Sequence, residues 1–188
     1  MKKSVLIAIC LLAIILPYVG MWLMYRHYEE RISSYDRASF IIVDKQTMQL
    51  RVYDRNGDCI ADFPMACGRA YGNKIEKGDN RTPEGIFRIS DIQNSSDWKH
   101  DFGDGKGEIH GSYGPWFIRL STEPHKGIGI HGTHLPLSIG TRATEGCIRL
   151  SNNDIKRLKE LSYCGLTVIV LPSKNDIKEN SKRGTDNM

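Results

Sequence analysis

Ile130-His131-Gly132-Thr133-His134, followed by Gly140-Thr141-Arg142-Ala143-Thr144-Glu145-Gly146-Cys147-Ile148-Arg149-Leu150, is the stretch that decides how this chain of 188 residues is read. The run from Gly127 to His131 reads as a strand ending at His131. A glycine-bearing loop then leads to Cys147, just ahead of a helix. Ser151 is a good N-cap for that helix, with Asp154 three residues later. Ile155, Leu158 and Leu161 make one apolar face, Lys156, Arg157, Lys159 and Glu160 point mainly outward, and Gly165 can end it. A cysteine acts as a nucleophile only as thiolate, and a nearby imidazole can take its proton. Backbone N–H groups around Gly146 and Cys147 can face a developing oxyanion, because glycine permits close approach and unusual backbone angles. Judged on residue types alone, however, a cysteine near a histidine is more often structural.

Outward from this stretch the pattern is one of short strands. Phe40 to Val43 runs into an Asp44-Lys45 turn. Met48, Leu50 and Val52 alternate with Gln49, Arg51 and Tyr53, and Asn56-Gly57 signals a two-residue hairpin turn. Ile60 to Ala66 is the return strand. Gly85 to Ile89, Trp116 to Leu120 and Leu166 to Leu171 read as further strands. Many short strands with one helix predict a mainly β, sandwich-like or barrel-like domain. Asn94 to Ser112 is rich in Gly, Asp, Lys and His and reads as a long loop, either a binding loop or a solvated insertion.

Composition sets outer bounds. Hydrophobic residues make up 40% and charged residues 26%, enough apolar material for a core, so global disorder is excluded. A net charge of +4 without a dense Lys/Arg run disfavours nucleic acid as a partner. Lys2 and Lys3 precede an apolar run from Ser4 to Tyr25, long enough for a transmembrane helix, with no Ala-x-Ala cleavage pattern after it. The five cysteines, Cys10, Cys59, Cys67, Cys147 and Cys164, form no close Cys-x-x-Cys pair. A Cys59–Cys67 bridge is conceivable, and Cys164 reads as a core residue.

The two quoted pieces resemble the L,D-transpeptidase catalytic (YkuD) domain, whose signature is Ile-His-Gly-Thr, an intervening loop, and Ser/Thr-His-Gly-Cys running on into Ile-Arg-Leu. Here they are Ile130-His131-Gly132-Thr133 and Thr144-Glu145-Gly146-Cys147-Ile148-Arg149-Leu150. Thr82-Pro83-Glu84-Gly85-Ile86-Phe87 is similar to that family's Thr-Pro-x-Gly-x-Phe element, and the three lie in the family's order. Four parts follow: the apolar run gives an N-terminal signal anchor over residues 1–25, a polar stalk covers 26–38, the resemblance implies an L,D-transpeptidase catalytic domain over 39–172, and the polar tail over 173–188 reads as disordered. The resemblance makes Cys147 the nucleophile and His131 the base, oriented by the Gly132 carbonyl. Gly146 and Cys147 N–H groups become the oxyanion hole. Arg149 is placed to bind a substrate carboxylate or to form a structural salt bridge. Thr144 shapes the loop.

One departure is plain: Glu145 stands where the family has His. It either hydrogen-bonds within the loop or repels the thiolate and raises its pKa. What the resemblance implies is a membrane-anchored, extracytoplasmic enzyme with peptidoglycan stem peptides as partners and no metal or organic cofactor. Its reaction is 3→3 cross-linking, or attachment of wall proteins, through a thioester. Three alternatives remain at this stage: a carboxypeptidase or hydrolase of the same fold, a wall-binding module weakened by Glu145, and a zinc hydrolase using His131, His134 and Cys147.

Overall fold

The computed structural model describes residues 11–26, 38–103, 105 and 107–186. Two units separate at Arg37/Ala38. In the first, residues 11–26 are helical (α1) and their apolar side chains, among them Leu16, Met21 and Trp22, are exposed. Among the described residues no helix is long and apolar enough to cross a membrane. The first ten residues of the expected anchor, with Cys10, and the stalk residues 27–37 lie outside the described residues.

The second unit grows from alternation. In β1 (Phe40–Asp44) Ile41 and Val43 are buried, and in β2 (Gln49–Tyr53) Leu50 and Val52 are buried. The strands pair antiparallel with Ile41 opposite Val52 and Val43 opposite Leu50, so one face of the ribbon is entirely apolar. β3 (Cys59–Pro64) returns along β2. The connection differs from the two-residue turn expected at Asn56-Gly57. Asp54 accepts from the backbone N–H groups of Asn56 and Asp58, widening the loop to residues 54–58.

The remaining elements are β4 (Cys67–Gly68), β5 (Gly85–Asn94), β6 (Lys99–Asp101), β7 (Glu108–His110), β8 (Trp116–Leu120), β9 (Gly129–His131), β10 (Arg142–Thr144), β11 (Ile148–Arg149), helix α2 (Asn152–Leu161), β12 (Thr167–Leu171) and helix α3 (Lys174–Asp186). Eight strands form one sheet in the order β11-β9-β8-β5-β12-β1-β2-β3. The long β5 gives the sheet its curl. Gly85 to Arg88 pair with β12, Ile89 to Asn94 pair with β8, and the register shifts between Ile89 and Asp91. At the other end Ala66 and Arg149 exchange two backbone hydrogen bonds of 2.8 Å each, linking the chain after β3 to β11. The expected β-rich domain is therefore a curled sheet, closed at that seam. Inside it Ile41, Leu50, Ile118, Ile130, Ile148 and Leu150 are fully buried.

Helix α2 follows its sequence signals. The Ser151 hydroxyl accepts from the Asp154 N–H, and Ile155 and Leu158 are buried. It ends at Leu161, before Gly165, and Cys164 is exposed rather than in the core. Cys59 is exposed and Cys67 buried, and both are free thiols.

The polar tail departs from expectation, because α3 occupies most of it. Asp176 is buried, 3.4 Å from the equally buried Lys45 ammonium and 2.6 Å from Arg142. It also accepts from Gly72 N–H at 2.7 Å, and Asn180 accepts from Asn73 N–H at 2.7 Å. The Lys45 ammonium has Glu84 as a closer partner at 2.7 Å, and Asp176, on an otherwise polar helix, adds the counter-charge that Lys45 and Arg142 share.

Candidate active site

Parallel pairing of β11 with β9 sets Ile148 beside Ile130 and Arg149 beside His131. Cys147, one residue earlier, comes beside Gly129. Its Sγ lies 3.5 Å from the Gly127 carbonyl oxygen, and the Gly129 N–H is directed at the sulfur. Cys147 is half-buried and His131 buried, and both line one cavity of about 1020 Å³.

The imidazole of His131 is fixed on three sides. Its Nδ1 is 2.6 Å from the Gly132 carbonyl oxygen, which can only accept, so Nδ1 carries the proton and Nε2 the lone pair. Phe117, its cross-strand partner, stacks parallel to the ring, and Tyr113 meets it edge-on with centroids 4.9 Å apart. Burial pushes the imidazole pKa down to about 3, against the Gly132 bond and with help from Arg149, His100 and His134. Burial also pushes the Cys147 thiol up. The resting pair is therefore neutral thiol and neutral imidazole, with the bare Nε2 free to accept a proton.

Behind Cys147 the loop is tightly built. The Thr144 hydroxyl donates to the Cys147 carbonyl at 2.6 Å and accepts from the Gly146 N–H at 3.2 Å. Gly146 has φ +135, and a Cβ there would stand 2.7 Å from the Arg81 carbonyl oxygen, so only glycine fits. The sequence had paired the Gly146 and Cys147 N–H groups for an oxyanion. The Gly146 N–H is instead committed to Thr144.

For Arg149 and Glu145 the structure decides between the alternatives left open by the sequence: the structural salt bridge of Arg149 is not formed among the described residues, and Glu145 acts on the thiol rather than bonding within its loop. Arg149 is buried and lines the cavity, but it forms no salt bridge with a carboxylate among the described residues. It donates to Ser138 Oγ at 2.8 Å, while its Nε is buried without a partner. Glu145 does not bond within its own loop. It takes His100 Nε2 at 2.9 Å on one oxygen and Arg69 at 3.4 Å on the other. Its negative charge adds to the upward push on the Cys147 thiol.

Three contributors escaped the sequence reading. Lys74 is buried, paired with buried Asp79 at 2.7 Å, and lies 3.4 Å from where a Cβ of Gly146 would stand. Its charge acts to lower the Cys147 pKa, against the burial. His100 comes from β6, within the segment Asn94 to Ser112. This segment is a hairpin reaching the cavity, not a solvated insertion. Tyr113 follows it. Of the other histidines, His134 packs on Phe102 and His110 lies exposed in β7. Among the described residues no group of three His, Cys, Asp or Glu side chains is placed to hold a metal ion.

The model of the family YkuD, described as L,D-transpeptidase catalytic domain, matches residues 38–170, and the chain belongs to this family. A Bacillus licheniformis protein named YkuD is 29% identical over 132 residues, covering 70% of this chain and 65% of that protein. Among solved structures, an L,D-transpeptidase from Mycobacterium smegmatis shares the fold with TM-score 0.54 at 18% identity, covering 71% of this chain and 59% of that one. The helical cell shape determining protein Pgp2 from Campylobacter jejuni gives TM-score 0.53 at 24% identity, covering 73% and 48%. The chain thus spans less than two thirds of the length of each of these relatives.

Proposed function

We propose that this protein is a peptidoglycan L,D-transpeptidase that works through a thioester on Cys147. One observation carries the proposal: the Cys147 sulfur and the His131 imidazole, locked with Nε2 unprotonated, share one cavity. As the sulfur attacks the carbonyl of the third residue of a stem tetrapeptide, His131 Nε2 takes the thiol proton. The Cys147 N–H steadies the tetrahedral oxygen. Collapse breaks the bond to the terminal D-Ala, whose amine leaves with the proton held by His131. A side-chain amine of a second stem then attacks the thioester and gives its proton to His131. Collapse expels the thiolate, which recovers that proton, and a 3→3 link remains. Arg149, which lines the cavity and meets no carboxylate among the described residues, suits a substrate carboxylate. The domain works outside the cytoplasm, tethered by the apolar run from Ser4 to Tyr25, whose described side chains are exposed.

Intact-protein mass spectrometry with purified muropeptides tests this. The wild type should gain an acyl adduct and release dimers, and Cys147→Ala should do neither. An adduct on Cys147→Ala would remove the assigned nucleophile. Trimmed stems without dimers would make the protein a carboxypeptidase. Carbonate extraction of cells carrying the full chain, or the chain without residues 1–25, tests the tether. Extraction of the full chain into the soluble fraction would end that part of the proposal.

A further inference from the structure

Position 145, beside Gly146, holds a carboxylate where the family pattern has an imidazole, yet an imidazole is paired with that carboxylate. His100 reaches it from β6, 45 residues earlier in the chain. Its Nε2 is 2.9 Å from Glu145 Oε2, and its Nδ1 is 3.1 Å from the Tyr113 hydroxyl. The directions of these bonds follow from the groups. A carboxylate paired to Arg69 accepts and does not donate, so His100 Nε2 carries the proton and donates. In the neutral ring Nδ1 then holds a lone pair and accepts from Tyr113 Oη–H. The Tyr113 pKa is pushed up to about 12, by burial first and then by Cys147 and Glu145, so the phenol keeps a proton to give. His100 also meets Phe102 edge-on with centroids 4.5 Å apart, which fixes the ring plane. Tyr113 in turn meets His131 edge-on at 4.9 Å.

We propose that His100 is a positioning residue of this site: with Glu145 it forms a split equivalent of the family's loop histidine and holds the Tyr113 hydroxyl against the His131–Cys147 cavity. This rests on the acyl-transfer role proposed for that cavity. Glu145 is then a working half of a pair, not the mark of a decayed site. A consequence for recognition follows. With its proton committed to His100, the Tyr113 oxygen offers the cavity lone pairs alone, which suits an N–H of a peptide ligand and not its carbonyl.

The test is an exchange of the two groups, with acylation of Cys147 by a stem tetrapeptide followed over time by intact mass. Glu145→His and His100→Glu each should lose about 10- to 100-fold in kcat/KM, as for loss of a hydrogen bond to a charged group. The double exchange should return to within about threefold of wild type, the signature of coupling between the pair. Circular dichroism melts confirm that each variant is folded. If the double exchange falls by the product of the two single losses, the pairing has no functional role and the proposal is overturned. A gain of activity in Glu145→His alone overturns it as well.

Ring 15N spectra of the wild type, with His100 assigned through His100→Gln, give a readout independent of turnover. Protonated Nε2, bare Nδ1 and a shift of Nδ1 in Tyr113→Phe are expected. The opposite tautomer, or indifference to Glu145→Gln, rejects the arrangement. Should the wild type never acylate, the proposed function fails while these spectra still decide the state of His100.

Discussion

The ring of Phe117 lies over the imidazole of His131, 5.7 Å between centroids and 3° between planes. Arg119 covers a face of the same phenyl ring, its guanidinium carbon 5.0 Å from the centroid. The stack keeps water from His131 and is part of the burial that holds its pKa near 3. Phe117→Ala is therefore expected to lose about 3–5 kcal/mol of stability and to let the imidazole pKa climb towards its ordinary value near 6.5. Urea denaturation and an NMR titration of the His131 ring check both. An unmoved pKa would show that Phe117 does not exclude the water.

The same depressed pKa makes stability depend on pH. The folded imidazole binds protons only near pH 3, the unfolded one near pH 6.5, so between these values the unfolded chain holds more protons. This contribution is fully present above pH 6.5 and is lost as pH falls towards the folded value. Between pH 7 and pH 5 the loss should be about 2 kcal/mol. Melting curves of wild type and His131→Gln at the two pH values isolate it, since the variant should lack this part of the fall.

Lys74 places a buried positive charge behind Gly146. Lys74→Met removes it, and the Cys147 thiol should ionise about one pH unit higher, as for removal of a nearby opposite charge. Asp79, held low by its bonds to Lys74 and to the N–H groups of Ile75, Glu76 and Arg81, is left without its partner, so Lys74→Met/Asp79→Asn is made alongside. The rate of iodoacetamide alkylation against pH reads the thiol directly. A profile that stays in place in both variants would mean that Lys74 does not reach the sulfur electrostatically.

Asp176 faces the ammonium of Lys45 and the guanidinium of Arg142 in the interior. Asp176→Ala leaves Arg142 without its carboxylate and Lys45 with Glu84 alone, and should cost about 3 kcal/mol, the low end for breaking a buried pair, measured by chemical denaturation. Loss of α3 helicity in the circular dichroism spectrum should accompany it.

How much of this was legible depended on whether the information was local. Cys147 and His131 stood out because each sits in a short ordered motif, and parallel pairing of two short strands is enough to bring them to one cavity. The α2 cap was legible because Ser151 and Asp154 are three residues apart. His100 was not, because it lies in a polar, glycine-rich segment without periodicity, and its partners Glu145 and Tyr113 are distant or unremarkable in sequence. Lys74 looked like any lysine in a polar loop, and Asp176 like any acid in a polar tail. Their meaning is set by burial, which only the tertiary fold creates. Lys45 gave no warning either, since a lysine in the Asp44-Lys45 turn is ordinarily solvated.

The seam at Ala66 and Arg149 and the separate β6–β7 hairpin give the residues around the cavity unequal rigidity. The segment that carries Cys147 is gripped by β9 on one flank and by two main-chain bonds to Ala66 on the other. Its amides should exchange with deuterium as slowly as those at the middle of the sheet. The β6–β7 hairpin forms a two-stranded sheet by itself, so its amides should exchange first. Adaptation to different peptides then falls to the side bearing His100, while the attacking sulfur keeps its place.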